Sequence, residues 1–305
     1  MRKVWSLAIV LCVFLLGSNV FAMTSTNFSI PWDNVNQGGY DVGTSTNFSV
    51  RDTIGGVSVG AGTSTNFQLY SGYRAPEAEY LLSYIVKTGN TIFTTYSAFT
   101  NGTGGTVTVG SAGGFSIGDL IAVVENQGFG ELVSVGKITN IAGNIITVDR
   151  FEGDGGSMSA SPSGGDDRVY LLSTNSFSFG TVTVGSENAA VVGTAVQTNV
   201  PAGYSIYVEA NQNLQNGAAQ VMSSVTDGSV TLGSEEYGAE VTGATAVNPG
   251  TDLGVTTTQR VIQTSGVSTG GISDKVGMIF KLAISASTNP GTYTQTVYYA
   301  LTANY

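Results

Sequence analysis

Residues 275–305 read KVGMIFKLAISASTNPGTYTQTVYYALTANY. Every second residue is apolar along 276–286, and apolar residues recur at odd positions along 293–305. A period of two is typical of a strand with one buried face. Pro290 and Gly291, between the two runs, suit a tight turn. The stretch therefore predicts two strands joined in a hairpin, and earlier strands are expected to cover its apolar face because an isolated hairpin is marginal in water.

The composition predicts an all-β chain. Only 10% of the 305 residues are charged and 42 are glycine, and no long stretch repeats its apolar residues at the helical period of 3.6. We predict a signal peptide at 1–22, an N-terminal β-repeat segment at 23–76 and a small β-barrel-like middle unit at 77–172. A C-terminal antiparallel β-sandwich, immunoglobulin-like or pilin-like, is predicted at 173–305.

The first 22 residues have the features of a cleaved signal peptide. Arg2 and Lys3 give a basic start, residues 7–16 form an apolar run, and Val20 and Ala22 supply small residues where a signal peptidase reads. A membrane anchor, the alternative, needs about 20 apolar residues, and this run is shorter. The sequence predicts a protein that is secreted, extracellular or held at the cell surface, with no membrane span after cleavage.

Two amino-acid types that catalysis often needs, histidine and cysteine, are absent from the predicted mature sequence, and this restricts its chemistry. The chain has no histidine, and its only cysteine, Cys12, lies in the predicted signal peptide. This excludes histidine-based triads, histidine-ligated zinc and thiolate nucleophiles. The carboxylate pairs Asp166-Asp167 and Glu235-Glu236 would each point to opposite faces of a strand. We therefore predict no enzyme activity, no catalytic, cofactor-binding or metal-binding residue, and no cofactor.

The mature chain is acidic. Without Arg2 and Lys3, nine basic residues stand against 21 acidic ones, a net charge of −12. Such a charge disfavours nucleic acid and anionic lipid as partners. No nucleic-acid partner is predicted.

A five-residue motif, TSTNF, occurs at 24–28, 44–48 and 63–67. Each copy leads into a β-prone pair of residues, and Gly-, Asn- and Asp-rich segments separate the copies. A period of about 20 residues suits a strand–turn–strand unit that buries its face against its neighbours. The alternative is a flexible, low-complexity linker. Aromatic and aliphatic residues that recur at fixed offsets favour ordered strands.

Short β-prone segments and Gly/Asn turns fill residues 77–172, which predicts a small barrel or sandwich. Residues 80–83 and 170–173 share the sequence YLLS, and we expect them to pair and close the unit. Residues 114–151 contain an F-S-x-G-D strand, a polar loop and a G-N-x-I-T-V strand. This run resembles the small β-barrel modules of phage tail and bacterial surface proteins. The resemblance implies a spacer or binding module.

An acidic, glycine-rich loop covers residues 152–168 and carries Asp154, Asp166 and Asp167. Oxygen ligands crowded into such a loop can hold Ca²⁺. Because the EF-hand spacing is absent, a solvated surface loop is the favoured interpretation. Calcium binding remains the alternative.

Residues 173–305 contain about seven β-prone segments, as expected for one sandwich. Residues 289–297, NPGTYTQTV, resemble the P-A-G-T-Y-T-D-T-V end of spore coat U and related pilin-like domains. The resemblance implies a secreted module of a kind that often polymerises by donating a strand to the next subunit. In the last strand, Tyr299 and Tyr305 are expected to face inward and Tyr298 outward.

These features predict an exported cell-surface or extracellular structural protein, in its specific form a filament or sheath subunit that assembles by β-strand addition. Its partner would be itself, with residues 23–75 lending strands to a neighbouring subunit. The alternative is a monomeric adhesin or carbohydrate-binding surface module. Its partners would be other surface proteins or glycans, contacted through exposed tyrosines.

Overall fold

The computed structural model describes residues 80–304, apart from 90, 91, 163, 218 and 219, together with the backbone of six short strands before residue 72. The chain divides into two compact units, Met1–Glu79 and Tyr80–Tyr305. The predicted signal peptide, residues 1–22, lies outside the described residues.

A pair of antiparallel strands overlaps or flanks each of the three copies of the TSTNF motif. The pairs of the first unit are β1 (Thr24–Ser25) with β2 (Phe28–Ser29), β3 (Gly43–Thr44) with β4 (Ser49–Val50), and β5 (Gly60–Thr63) with β6 (Gln68–Ser71). The third pair is the longest, with four residues in each strand. A pair of antiparallel strands therefore lies at each copy of the motif, and the strand–turn–strand repeat of residues 23–76 stays a prediction.

The second unit is built from strands, and no helix occurs among the described residues, which confirms the predicted all-β class. Its strands are β7 (Leu82–Gly89), β8 (Phe93–Thr94), β9 (Tyr96–Thr100), β10 (Thr106–Val109), β11 (Leu120–Glu125), β12 (Leu132–Ala142), β13 (Ile145–Val148), β14 (Glu152–Gly153), β15 (Arg168–Leu172), β16 (Asn188–Thr198), β17 (Tyr204–Ala210), β18 (Gln215–Asn216), β19 (Gln220–Val221), β20 (Glu236–Thr242), β21 (Arg260–Ser265), β22 (Asp274–Ala283) and β23 (Val297–Ala303). Apart from the short pair of β18 and β19, they form three sheets.

The largest sheet, called the curled sheet, has the order β8-β15-β11-β12-β13-β10-β9, with β14 beside β12. It surrounds a core that includes Phe99, Val107 and Ile146. Its end strands, β8 and β9, are separated in the chain only by Thr95, and among the described residues no ladder joins them. A tight hairpin needs about two loop residues, so one linking residue cannot bring these strands into register. The predicted small barrel is therefore an open sheet.

Two further sheets pack face to face as the predicted β-sandwich. The middle sheet has the order β20-β22-β16-β7, and the outer sheet has the order β21-β17-β23. The core between them contains alternate residues of β22, such as Met278 and Phe280, and alternate residues of β17, such as Tyr204 and Ile206. This alternation is the sandwich pattern that the sequence predicts.

The other face of the middle sheet packs against the curled sheet, so that β22 is covered on both faces. Gly193 of β16 and Gly277 of β22 lie opposite each other in the ladder. A Cβ atom at Gly277 would lie 2.9 Å from Val133 Cγ1, and one at Gly193 would overlap Leu172 Cδ1. The glycine pair therefore allows the curled sheet to approach the middle sheet closely.

The two terminal strands do not form the predicted hairpin. Strand β22 pairs with β16 and β20 in the middle sheet, whereas β23 pairs with β17 in the outer sheet. The chain between them crosses from one sheet to the other. Their apolar faces meet across the core, where Tyr299 Oη lies 3.5 Å from Met278 Sδ. Period-two alternation is the same for a hairpin and for this crossover, so the pattern identified the strands and not their pairing.

The expected pairing of residues 80–83 with 170–173 is also wrong. Strand β7 pairs with β16, and β15 pairs with β11 and β8. Both segments are β-prone, but β-propensity reports a fit to a pleated surface and does not specify a partner. The strand that opens the second unit therefore belongs to the middle sheet.

Candidate functional site

Strand β7 has one edge that is paired only at Thr88 within residues 80–304. On the side away from β16, Thr88 donates its N–H to Thr174 O at 2.8 Å and accepts the N–H of Thr174 at 3.1 Å. Alternate residues of an antiparallel strand direct their amide groups to the same side. Leu82, Tyr84 and Val86 therefore direct theirs outward, where no strand of the described part of the chain pairs with them.

The remaining edges of the sandwich differ in their cover. Beyond β20, Ala239 exchanges two backbone hydrogen bonds with Leu253, at 2.9 and 2.8 Å. Beyond β21, Thr264 donates its N–H to Thr245 O at 2.9 Å. Strand β23 has no ladder on its outer side within residues 80–304, and it contacts β7. The two uncovered edges therefore lie on the same side of the sandwich.

Apolar side chains on this side of the sandwich are incompletely covered. Tyr204 and Ile206, in the central strand β17, are fully buried. By contrast, Tyr84 and Val86 of β7 are only half-buried. The inward residues of β23 are half-buried as well, and they are Val297, Tyr299 and Leu301. An additional strand here would complete the burial of the sandwich core.

Exposed apolar residues extend this surface to the start of β7. Tyr80, Leu81 and Leu82 are 50%, 54% and 37% exposed. Adjacent exposed apolar residues mark interaction sites, whereas single ones are common on any surface. We call residues 80–86, with the inward side chains of β23, the open edge.

The open edge is electrically neutral. Burial raises the pKa of the Tyr84 and Tyr299 hydroxyls, so both stay protonated. Tyr84 Oη has no hydrogen-bond partner among the described residues. The first charge along the strand is Lys87, whose Nζ donates to Asn175 Oδ1 at 2.9 Å. A docking strand would therefore meet backbone amides and apolar side chains rather than charges.

A cavity of about 370 Å³ lies where residues of the curled sheet meet the start of β16. Glu131, Asp166 and Glu187 line it, and no basic residue is among its described lining. Glu131 Oε2 accepts the N–H of Gly128 at 3.1 Å, whereas the buried Oε1 has no partner among residues 80–304. Burial raises the pKa of Glu131 to about 7, although the Gly128 N–H and the charge of Lys281 lower it.

Two of the three aspartates in the acidic loop at 152–168 accept hydrogen bonds from other parts of the fold. Asp154 accepts hydrogen bonds from the Val133 N–H at 3.1 Å and the Thr242 hydroxyl at 2.5 Å. Asp167 is buried rather than solvated, and it accepts the Asn126 N–H at 3.2 Å. The third aspartate lies on the cavity wall. In the part of the chain that the structure describes, no group of three or more acidic side chains could hold a metal ion.

Two lysines of β22 are buried, although alternation along the strand predicts solvent-facing positions for them. Lys275 Nζ lies 2.9 Å from Asp149 Oδ2, and Lys281 contacts two carboxylates. Both occupy the face of β22 opposite the predicted core positions, and the curled sheet covers that face. The available sequence signal is Ile279 and Ala283 on the same face, because a strand with apolar residues on both faces is typically covered on both.

Comparison with protein-family models, with curated proteins and with solved structures finds no match for this chain. Across the described residues, no helix is long and apolar enough to cross a lipid bilayer.

Proposed function

We propose that this chain is an exported structural subunit without enzyme activity, which assembles with further copies of itself by strand addition at the open edge. The observation that carries the proposal is the outer side of β7 at residues 82–86, which pairs with no strand of the described part of the chain. Leu82, Tyr84 and Val86 each present an N–H and a C=O that an added strand would satisfy. The same strand would cover the half-buried side chains of β23.

The open edge lacks the usual protection against strand addition. Exposed edges are normally protected by charged side chains, proline or a β-bulge. Residues 82–86 read LSYIV, without charge or proline, and their ladder with β16 has no register shift. An uncharged, regular, apolar edge is a site where another chain pairs.

The donor in this proposal is the repeat segment, residues 23–75, of a second copy. Its strands are two to four residues long, and an isolated two-stranded pair is marginal in water. Pairing with β7 of a neighbour would instead extend a four-stranded sheet. The resemblance of residues 289–297 to spore coat U and pilin-like domains supports this mode, because that family often polymerises by donating a strand. Delivery to the cell surface or beyond rests on the signal-peptide features of residues 1–22.

Val86→Pro tests the proposal, because it removes an outward N–H while leaving in place the N–H groups of β7 that point to β16. Val184→Pro is the matched control. Val184 occupies the second position of a turn closed by the Ser186 N–H and Thr183 O at 3.1 Å, and Gly185 follows with φ at +81°. Proline is favoured at this position of such a turn.

The readout is light scattering and negative-stain microscopy of the mature protein over a concentration series. We expect the wild type and Val184→Pro to form assemblies and Val86→Pro to remain monomeric. A wild type that stays monomeric at every concentration, or a Val86→Pro variant that assembles like the wild type, would contradict the proposal.

A monomeric adhesin or carbohydrate-binding module is the second candidate. Its specific support is Tyr298, which is 53% exposed on the outer face of β23, as the sequence predicted. Exposed aromatic rings stack on ligands. Glycan-array binding by a monomer that is lost in Tyr298→Ala and kept in Tyr298→Phe would favour this function over assembly.

A further inference from the structure

Three charged side chains of the middle sheet and its flanking segment converge on one point. Lys281 of β22 and Glu240 of β20 lie on neighbouring strands. The two backbone hydrogen bonds between Ala239 and Leu253 hold the segment that follows β20 against that strand. Asp252, the residue before Leu253, is thereby placed beside Glu240.

The amine of Lys281 contacts both carboxylates at short distance. Lys281 Nζ lies 2.6 Å from Glu240 Oε2 and 2.9 Å from Asp252 Oδ1. Lys281 is 4% exposed and Asp252 is 7% exposed. One lysine charge thus faces two carboxylates at a site from which water is largely excluded.

The two oxygens of Asp252 have different surroundings. Oδ2 accepts the N–H of Val230 at 2.7 Å, and the backbone N–H of Asp252 donates to Gly228 O at 2.9 Å. Oδ1 is buried and makes no aligned hydrogen bond within residues 80–304, so its close neighbour is the Lys281 amine. An amine and a carboxyl group held in contact and shielded from water react as one unimolecular pair, with a high effective concentration.

We propose that Lys281 and Asp252 are joined by an amide bond between Nζ and Cγ, a covalent cross-link within the chain, and that Glu240 transfers the protons. Nζ gives a proton to a carboxylate, attacks Cγ and forms the C–N bond. One C–O bond of Asp252 then breaks, and the oxygen leaves as water. Both protons of that water come from the ammonium group, and Glu240 ends ionised as it began. The condensation needs no oxidant, reductant or activated donor.

The surrounding charges explain why a second carboxylate is needed. Burial lowers the pKa of Lys281, but the hydrogen bonds and charges of Glu240 and Asp252 outweigh burial and raise it overall. The amine is therefore protonated in the ion pair and must lose a proton before it attacks. Glu240 Oε2, which already accepts a hydrogen bond from Nζ at 2.6 Å, is placed to take that proton.

Lys275 provides an internal comparison. Its Nζ is also buried and lies 2.9 Å from an aspartate oxygen, Asp149 Oδ2. It donates to the carbonyl of Ser273 at 2.9 Å, and within the described residues no second carboxylate lies at ion-pair distance from it. Without a second carboxylate to transfer protons, this pair is expected to remain ionic. One cross-link per chain follows, not two.

Intact mass spectrometry of the denatured mature wild-type protein tests the cross-link. We expect a mass lower by one water molecule than the sequence requires. Trypsin should fail to cleave after Lys281, and the peptide containing Lys281 should be recovered joined to the peptide containing Asp252. The full sequence mass together with normal cleavage after Lys281 would overturn the proposal.

Variants separate the roles of the three residues. Lys281→Arg and Glu240→Gln should show the full mass that their sequences require, while the matched controls Lys137→Arg and Glu235→Gln should still lack one water. A water loss in Glu240→Gln as complete as in the wild type would overturn the role of Glu240. The wild-type mass is measured in denaturant and does not depend on assembly, so this proposal and the proposed function fail independently.

Discussion

Lys275 Nζ lies 2.9 Å from Asp149 Oδ2, and this contact joins a fully buried lysine of the middle sheet to a carboxylate of the curled sheet. The preceding residue, Asp274, accepts hydrogen bonds from Arg150 and from Tyr204 Oη of the outer sheet, each at 3.1 Å. One connected set of polar contacts therefore spans all three sheets. Such networks favour a single arrangement of the layers, because any unpaired member would be a buried polar group without a partner.

Asp149→Asn should strongly destabilise the second unit. The amide keeps an oxygen that can accept the Lys137 and Arg150 N–H groups, as Oδ1 does now, but it leaves the buried Lys275 charge uncompensated. Breaking a buried pair in this way costs about 3 kcal/mol or more. Denaturant unfolding should show that loss, while Asp227→Asn, at an exposed residue, should change stability by less than about 0.5 kcal/mol. Equal stability of the two variants would contradict this role for Lys275.

Glu131 should make stability fall as pH rises. Burial raises its pKa from 4.5 to about 7 in the folded protein, and the hydrogen bond from the Gly128 N–H opposes that rise. Between these two pKa values the folded protein holds a proton on Glu131 that the unfolded chain has released. The contribution of this protonation to the free energy of unfolding is therefore complete below about pH 4.5 and is lost as pH rises through about 7. The loss is up to about 3 kcal/mol.

The measurement compares unfolding free energies of the wild type and Glu131→Gln across this pH range. We expect the variant to gain stability relative to the wild type as pH rises. Glu235→Gln controls for the general effect of replacing a glutamate by a glutamine. If the stability difference between Glu131→Gln and the wild type were as independent of pH as that of the control, the raised pKa of Glu131 would be disproved.

The opposed glycines Gly193 and Gly277 should not tolerate larger side chains. A Cβ at Gly277 would lie 2.9 Å from Val133 Cγ1 and 3.1 Å from Thr242 Cγ2, and overpacking of this kind costs about 1–3 kcal/mol. Gly277→Ala should lower the denaturation midpoint accordingly. Gly266→Ala, where nothing lies within 4 Å of the added atom, is the control. A midpoint unchanged in both variants would mean that the two sheets are not closely packed here.

Amide hydrogen exchange should alternate along β7. The N–H groups of Tyr84 and Val86 point to the open edge, whereas that of Ile85 points to β16. In a monomeric version starting at Glu77, Tyr84 and Val86 should exchange rapidly and Ile85 slowly. Assembly of the mature protein should slow all three. Uniform protection of the three amides in the monomer would show that the edge is already covered.

The strands and their buried faces could be predicted from the sequence, but the sheet partners could not. Alternation along β22 and β23 identified both strands and placed Tyr298 on the exposed face. It did not reveal that the two strands belong to different sheets, because a hairpin and a crossover between sheets bury the same residues. Strand pairing depends on contacts between residues that are distant in sequence, such as Gly193 opposite Gly277. Local periodicity carries no information about such contacts.

The charged core and the open edge were beyond sequence reasoning for a related reason. Lys281 occupies a position that alternation assigns to the solvent side, and it is buried because a third layer covers the middle sheet. Similarly, nothing local to residues 82–86 distinguishes an edge strand from a central one. Each of these features depends on which layer lies against which, and only the folded chain determines that.

The most direct test of assembly through donated strands compares the mature chain starting at Met23 with a version starting at Glu77, by light scattering and negative-stain microscopy. The first contains the repeat segment and the open edge, and the second contains the open edge alone. We predict filaments or higher assemblies from the first and monomers from the second. Monodisperse monomers from both would contradict the account.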